Sequence, residues 1–260
     1  MVDCSYENQL VSDRNAEPLP PATGAAPLRR SPLWWNRWWA WADSLAIAAL
    51  YVYLLSHSWL RWMDPLIDFP KDLYVAWRLS VGDLLYQDIS NWYGPLASLI
   101  EGAGFRIFGV GLDTIIWMNI VLTAAVLLLL RGIFRALGSR FMGWLAPMVF
   151  LLVFAFGHFV WVANYNFITP YVAQSTYSFL GLLLLIWGLL RHLRSSRPAW
   201  LGVAGLGLAV SYLDKPEALL AGLGALGLYF LAQRLRARRE GVDAGHWLRH
   251  YIGWVSGGFF

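Results

Sequence analysis

Two aspartates four residues apart, Asp68 and Asp72, flank a proline in the stretch Asp68-Phe69-Pro70-Lys71-Asp72. A carboxylate placed this way can take a proton from a hydroxyl within hydrogen-bond reach. It can also hold a divalent cation (Mg, Mn or Zn) through its oxygens. Taken singly, an acid on a surface loop is more often a solvated carboxylate or a helix cap. The pair belongs to a group of seven acids between Asp64 and Asp113, out of 16 in the whole chain, which favours a chemical role for the group. Lys71, Arg78, Arg106 and Lys215 are the candidate cations on the same side of the chain's apolar runs, with Arg61 behind, and such cations can stabilise negative charge. Lys215 stands out because its turn, Leu213-Asp214-Lys215-Pro216-Glu217, joins two short apolar runs, where a charge is costly. A salt bridge to Asp214 or Glu217 is the competing use for it. Tyr93, Asn164, Tyr165 and Asn166 carry groups that can hydrogen-bond a polar ligand, although the same residue types also make ordinary turns and membrane interfaces. His158 reads as a hydrogen-bonded packing residue, and no His/Cys cluster has the spacing of a structural metal site.

The acids need elements to hold them. Residues 61–112 are too long for a simple connector, and segments of that size usually carry function. Pro70 can open a helix with Asp72 in its first turn, where the helix dipole favours an anion. That helix passes through Leu73, Ala76, Trp77 and Ser80 and stops at Gly82. Asp68 precedes it in an extended stretch, because Phe69 stands before a proline. A second helix opens at Pro95, with Leu96, Leu99, Ile100, Ala103 and Ile107 along one face and Ser98, Glu101 and Arg106 on the other. From Pro95 to Gly109 it is roughly 22 Å long, short of a ~30 Å bilayer core, so it is read as lying in the interface.

The rest of the chain must then be membrane. Of 260 residues, 58% are hydrophobic and 14% charged, with a mean hydropathy of +0.49; a soluble domain carries about a quarter charged residues. This composition excludes a water-soluble globule and a disulfide scaffold, since Cys4 is the single cysteine. Charge-free runs of 17 residues (44–60 and 114–130), 50 (141–190) and 16 (198–213 and 218–233) predict an all-α, polytopic transmembrane helical bundle. Six spans are expected near 39–60, 113–131, 142–162, 174–191, 198–213 and 217–233, with the start of a seventh near Tyr251. Residues 1–33 read as a disordered cytoplasmic tail, and 34–260 as one membrane domain with 61–112 as its first outer loop. Alternate loops hold 15 Lys and Arg against 5 on the other side, which orients the N-terminus to the cytoplasm. The net charge of +4 is set by these loops and does not point to nucleic acid. Many of the 16 tryptophans fall at span ends, as an interfacial belt does.

The pieces Asp68-Phe69-Pro70-Lys71-Asp72-Leu73-Tyr74, Gly82-Asp83-Leu84-Leu85-Tyr86-Gln87-Asp88, Tyr93-Gly94-Pro95-Leu96 and Phe105-Arg106-Ile107-Phe108-Gly109 together resemble a known loop. It is similar to the first outer loop of the C-type polytopic glycosyltransferases, in the bacterial branch related to protein O-mannosyltransferases, aminoarabinose transferases and Rgt-type sugar transferases. Asn164-Tyr165-Asn166 with Pro170-Tyr171 resembles the second outer loop of that branch, and Leu213-Asp214-Lys215-Pro216-Glu217 resembles its "L-T-K-P-E" turn, with Asp214 in place of Thr. The resemblance implies a bacterial inner-membrane enzyme that takes a sugar from a polyprenyl-phosphate donor and transfers it to a lipid, glycan or protein acceptor on the non-cytoplasmic side. It implies Asp68 as general base and Asp72 as a second, metal- or acceptor-orienting acid, where the family commonly has Glu. Lys71, Arg78, Tyr93, Asn164, Tyr165, Asn166, Lys215 and Glu217 are the substrate-binding residues it suggests. Family members continue for several further spans, so a further C-terminal half or a partner subunit is also expected. A transporter or flippase of lipid-linked sugars, or an inactive membrane-embedded remnant with a structural role, are the readings from other classes.

Overall fold

The computed structural model describes residues 33–61, 69–157, 166–239 and 244–260. The expected tail, Asp68, His158, Asn164 and Tyr165 therefore lie outside the described residues, apart from the first helical residue, Leu33. The chain divides into two units, Met1–Ala42 and Asp43–Phe260. Of the first unit only the start of a helix is described; the packing and the candidate site belong to the second.

The elements in order are α1 (Leu33–Ser58), α2 (Phe69–Ser80), α3 (Leu96–Phe108), α4 (Leu112–Leu137), α5 (Arg140–Val149) with a π-helical continuation (Phe150–Ala155), α6 (Ala173–Ser195), α7 (Ala199–Asp214), α8 (Pro216–Arg239) and α9 (Ala244–Phe259). Among the described residues there is no strand, only the isolated bridges Leu85–Ile89 and Phe156–Asn166. The fold is all-helical, as expected, and α4, α6 and α8 are long and apolar enough to cross a membrane. Two further apolar helices fall short of that length. At 16 residues, α7 is roughly 24 Å long against a ~30 Å core.

The expected third span, 142–162, departs most from a continuous α-helix. Pro147 lies inside α5 and has no N–H to donate one turn back, and the helix then widens into π geometry and ends at Ala155. Phe156 bridges to Asn166 instead.

Packing has two centres. Ile47 and Tyr51 of α1, Val126 of α4, Leu151 and Tyr177 belong to one buried cluster. Leu185, Leu201, Leu208, Leu226 and Val255 from α6 to α9 belong to the other. Between α6 and α7 the backbones nearly touch: a Cβ added at Gly181 would stand 2.7 Å from the Gly207 carbonyl oxygen. Small residues at such crossings allow the close van der Waals contact that drives helix association in lipid.

The two ends of α4 differ in chemistry. Near its C-terminus, Arg140 pairs with Asp43 at 2.6 Å, Arg131 donates to Ser44, and Arg194 donates to the Ala136 carbonyl. The basic loops 131–140 and 191–197 thus meet at one end. At the N-terminal end, α2 and α3 pack through Phe69, Ala76 and Phe105 onto Ile115 of α4.

Candidate functional site

Both helices of the 61–112 segment form where the prolines predicted. α2 turns Phe69, Val75, Ala76 and Leu79 inward together with Asp72, whereas α3 turns its polar, small-residue face inward. On α3 the buried residues are Ala97, Ser98, Glu101, Gly102, Gly104 and Phe105, while Leu99, Ile100 and Ile107 are exposed. An apolar outer face suits a helix lying against hydrocarbon, and its small inner residues let it approach the bundle closely.

Asp72 sits in the first turn of α2 with 3% exposure. Its Oδ2 accepts the Ala173 N–H at 3.1 Å, at the start of α6, where Val172 offers no side-chain cap. Its Oδ1 lies 3.5 Å from Lys71 Nζ. Burial raises the Asp72 carboxyl above its ordinary range, opposed by the Ala173 N–H and by Lys71. Asp214, fully buried at the end of α7, does the same for α3: its Oδ1 accepts the Ala97 N–H at 2.8 Å, and its carbonyl accepts the Gly94 N–H at 3.0 Å. Pro95 gives α3 no cap of its own. Each acid therefore satisfies orphan donors of a helix far away in sequence.

These contacts bring the Tyr93-Gly94-Pro95 turn against the Leu213-Asp214-Lys215 turn. Glycine is required at 94, where a Cβ would stand 1.9 Å from the Leu213 carbonyl oxygen. The Tyr93 ring then lies beneath two cations, Lys71 Nζ at 4.7 Å and Lys215 Nζ at 5.5 Å from its centroid. No carboxylate among the described residues lies within ion-pair distance of Lys215, so the competing salt bridge to Asp214 or Glu217 is not made. The preceding loop explains the Gly82-to-Asp88 motif as a scaffold. Gly82 takes the left-handed conformation that ends α2, and so does Tyr86, whose hydroxyl donates to the Tyr93 carbonyl at 2.7 Å. Asp88 accepts the Leu84 N–H at 2.8 Å.

Glu101 completes the cluster from α3, at 3% exposure. Burial, then the charges of Asp72 and Asp214, push its carboxyl well above the ordinary range. Gln174 of α6 donates to Ser98, one turn before Glu101, at 3.3 Å. Sequence reasoning counted Glu101 among the seven acids and as an interruption of the apolar pattern, without singling it out, and missed Gln174. A charge among Ala97, Ser98, Gly102 and Gly104 was the available signal, since only small neighbours let a helix bury it.

The remaining expected residues take other positions. Arg78 pairs with Asp83, and Arg106 donates to the Leu79 and Ser80 carbonyls at the end of α2 at 2.7 and 3.0 Å. Glu217 is exposed in the first turn of α8. Asn166 is buried and builds its own turn, accepting the Ile168 and Thr169 N–H groups at 2.9 and 2.6 Å. Among the described residues no three His, Cys, Asp or Glu side chains are arranged to hold a metal ion. Asp72, the described member of the expected pair, already faces an N–H and a lysine.

Beside the site is an apolar cavity of about 730 Å³ between α4, α5 and α6, walled by Leu130, Phe134, Phe150 and Phe179, with Asn166 and Thr176 among its few polar neighbours. Thr176 lies one helical turn from Ala173, where Asp72 is anchored. No protein-family model matches this chain, and neither a curated protein nor a solved structure matches it.

Proposed function

We propose that this chain is the catalytic membrane domain, or part of it, of a glycosyltransferase that moves a sugar from a polyprenyl-phosphate carrier to a hydroxyl of a lipid, glycan or protein. The observation that carries this reading is the convergence of Asp72, Tyr93-Gly94 and Asp214-Lys215, three short motifs far apart in sequence, at one end of an apolar helical bundle. In this reading the chain crosses a bacterial inner membrane six times and begins a seventh span, with α2 and α3 on the non-cytoplasmic face. Lys71 and Lys215, stacked on Tyr93, meet the lipid phosphate, and the apolar cavity takes the adjoining hydrocarbon. The acceptor oxygen forms its bond to the anomeric carbon as the bond from that carbon to the phosphate oxygen breaks. Asp68 takes the hydroxyl proton, and the lipid phosphate leaves with the electron pair.

The test uses membranes carrying the full chain and a labelled polyprenyl-phosphate sugar. Asp68→Asn is expected to lower label transfer by roughly 10²–10⁴-fold, and Lys215→Ala by roughly 10-fold or more. Undiminished transfer with Asp68→Asn sinks the general-base role; no transfer by the wild type with any acceptor fraction sinks the activity.

Burial of three acids also favours a transporter or flippase of lipid-linked sugars, since buried carboxyls in membrane proteins mark proton and ion paths. That reading predicts intact labelled donor appearing across the bilayer with no new glycoside.

A further inference from the structure

Glu101 is used neither by the proposed transfer nor by a helix cap. Its 3% exposure is not matched by any partner: among the described residues no hydrogen-bond donor reaches its carboxyl, and the groups nearest in charge are acids. Each element packed near α3 brings its own polar groups. From α2 comes Asp72, with Lys71 beside that acid rather than beside Glu101. From the end of α7 comes Asp214. From α6 come Gln174 and Tyr177, the latter within electrostatic reach of both Glu101 and Asp214. α4 offers only Asp113, exposed at its start, with Arg131 and Arg135 at its far end. Asp72 and Asp214 each accept an N–H from the first turn of a helix, which opposes, without outweighing, the upward push of burial on their carboxyls. Glu101 has no such support, and a buried carboxylate without it is very costly.

We propose that Glu101 is the proton-holding member of this three-carboxyl cluster, and that loss of its proton loosens the seating of α3 on the bundle. The cluster is short of donors in just the way this requires. Asp214 Oδ2 and Gln174 Oε1 are buried acceptors without a hydrogen-bond partner among the described residues, on side chains bonded to Ala97 and Ser98, one helical turn before Glu101. Burial and the two neighbouring charges act in the same direction, holding the proton on. An unfolded glutamate titrates at its ordinary value and the folded one above it, so between the two values the folded chain binds more protons. Stability then falls as pH rises through that window and levels off above the folded value.

This inference rests on neither reading of the function and is tested without substrate. The full chain in lipid nanodiscs is titrated by infrared spectroscopy and by thermal unfolding, as wild type, Glu101→Gln, Asp72→Asn and Asp214→Asn. A protonated-carboxyl band is expected near neutral pH in the wild type, absent in Glu101→Gln, and lost at lower pH in both Asn variants, which remove a neighbouring charge. Glu101→Gln is also expected to lose less stability with rising pH, ending roughly 2–4 °C above the wild-type Tm. A wild type without the band, or a band that survives Glu101→Gln and disappears with Asp214→Asn at every pH, overturns the proposal. So does a Glu101→Gln variant with the wild-type dependence of Tm on pH.

Discussion

Asp214 shows how one side chain joins three segments. Its carboxyl holds the first turn of α3, its carbonyl holds Gly94, and the residue after it carries the amine stacked on Tyr93. Asn keeps an acceptor oxygen for the Ala97 N–H, whereas Ala leaves that N–H unsatisfied in a buried place. Asp214→Ala is therefore expected to cost about 0.5–2 kcal/mol of stability and Asp214→Asn much less. Thermal unfolding of both variants in lipid at one pH checks this; equal losses would show that charge, not the cap, is what matters there. Asp214 and Lys215 were both legible as a polar turn between apolar runs. That Asp214 caps α3 was not, because 117 residues separate the partners.

Between elements, the decisive contact is backbone on backbone. The turn before α3 approaches the end of α7 so closely that only glycine fits at position 94. Gly94→Ala places a methyl group against a carbonyl that no rotamer change can move, so the turn must retreat and the Gly94–Asp214 hydrogen bond must lengthen. Overpacking of this kind costs about 1–3 kcal/mol. The variant is expected to lower Tm and to raise protease cleavage between α2 and α3 before the bundle itself unfolds. Cleavage unchanged from the wild type would show that the turn is held by something other than this contact. The limits of α2 and α3 were legible from Pro70, Gly82 and Pro95. The end of α5 was not, since Pro147 sits in an unbroken apolar run and its effect depends on whether neighbouring helices complete the freed backbone bonds.

For the whole molecule, sidedness is the property that the function depends on. Basic loops 131–140 and 191–197 meet at the C-terminal end of α4, and Asp72, Glu101 and Asp214 gather toward its N-terminal end. Under the proposed topology, the native Cys4 is protected from a membrane-impermeant maleimide in intact cells and reacts in inverted vesicles. A Trp92→Cys variant on a Cys4→Ser background, at a position 90% exposed, is expected to show the reverse pattern. Labelling of both from the same side would refute the six-span topology and, with it, the outer placement of the site.

Periodicity, prolines and the absence of charge were enough to read an all-helical membrane chain, because hydrocarbon leaves helices as the main way to satisfy every backbone group. They were enough to find the two short helices of the 61–112 segment, since proline and glycine act on their own backbone. They did not reveal which face of α3 turns inward, nor that Asp72, Glu101 and Asp214 share one buried cluster. Burial of a carboxyl is decided by what packs around it, and here the packing partners come from three elements spread from α2 to the end of α7. Only the tertiary structure brings them together, through helix ends whose N–H groups need an acceptor and a glycine that lets two turns touch.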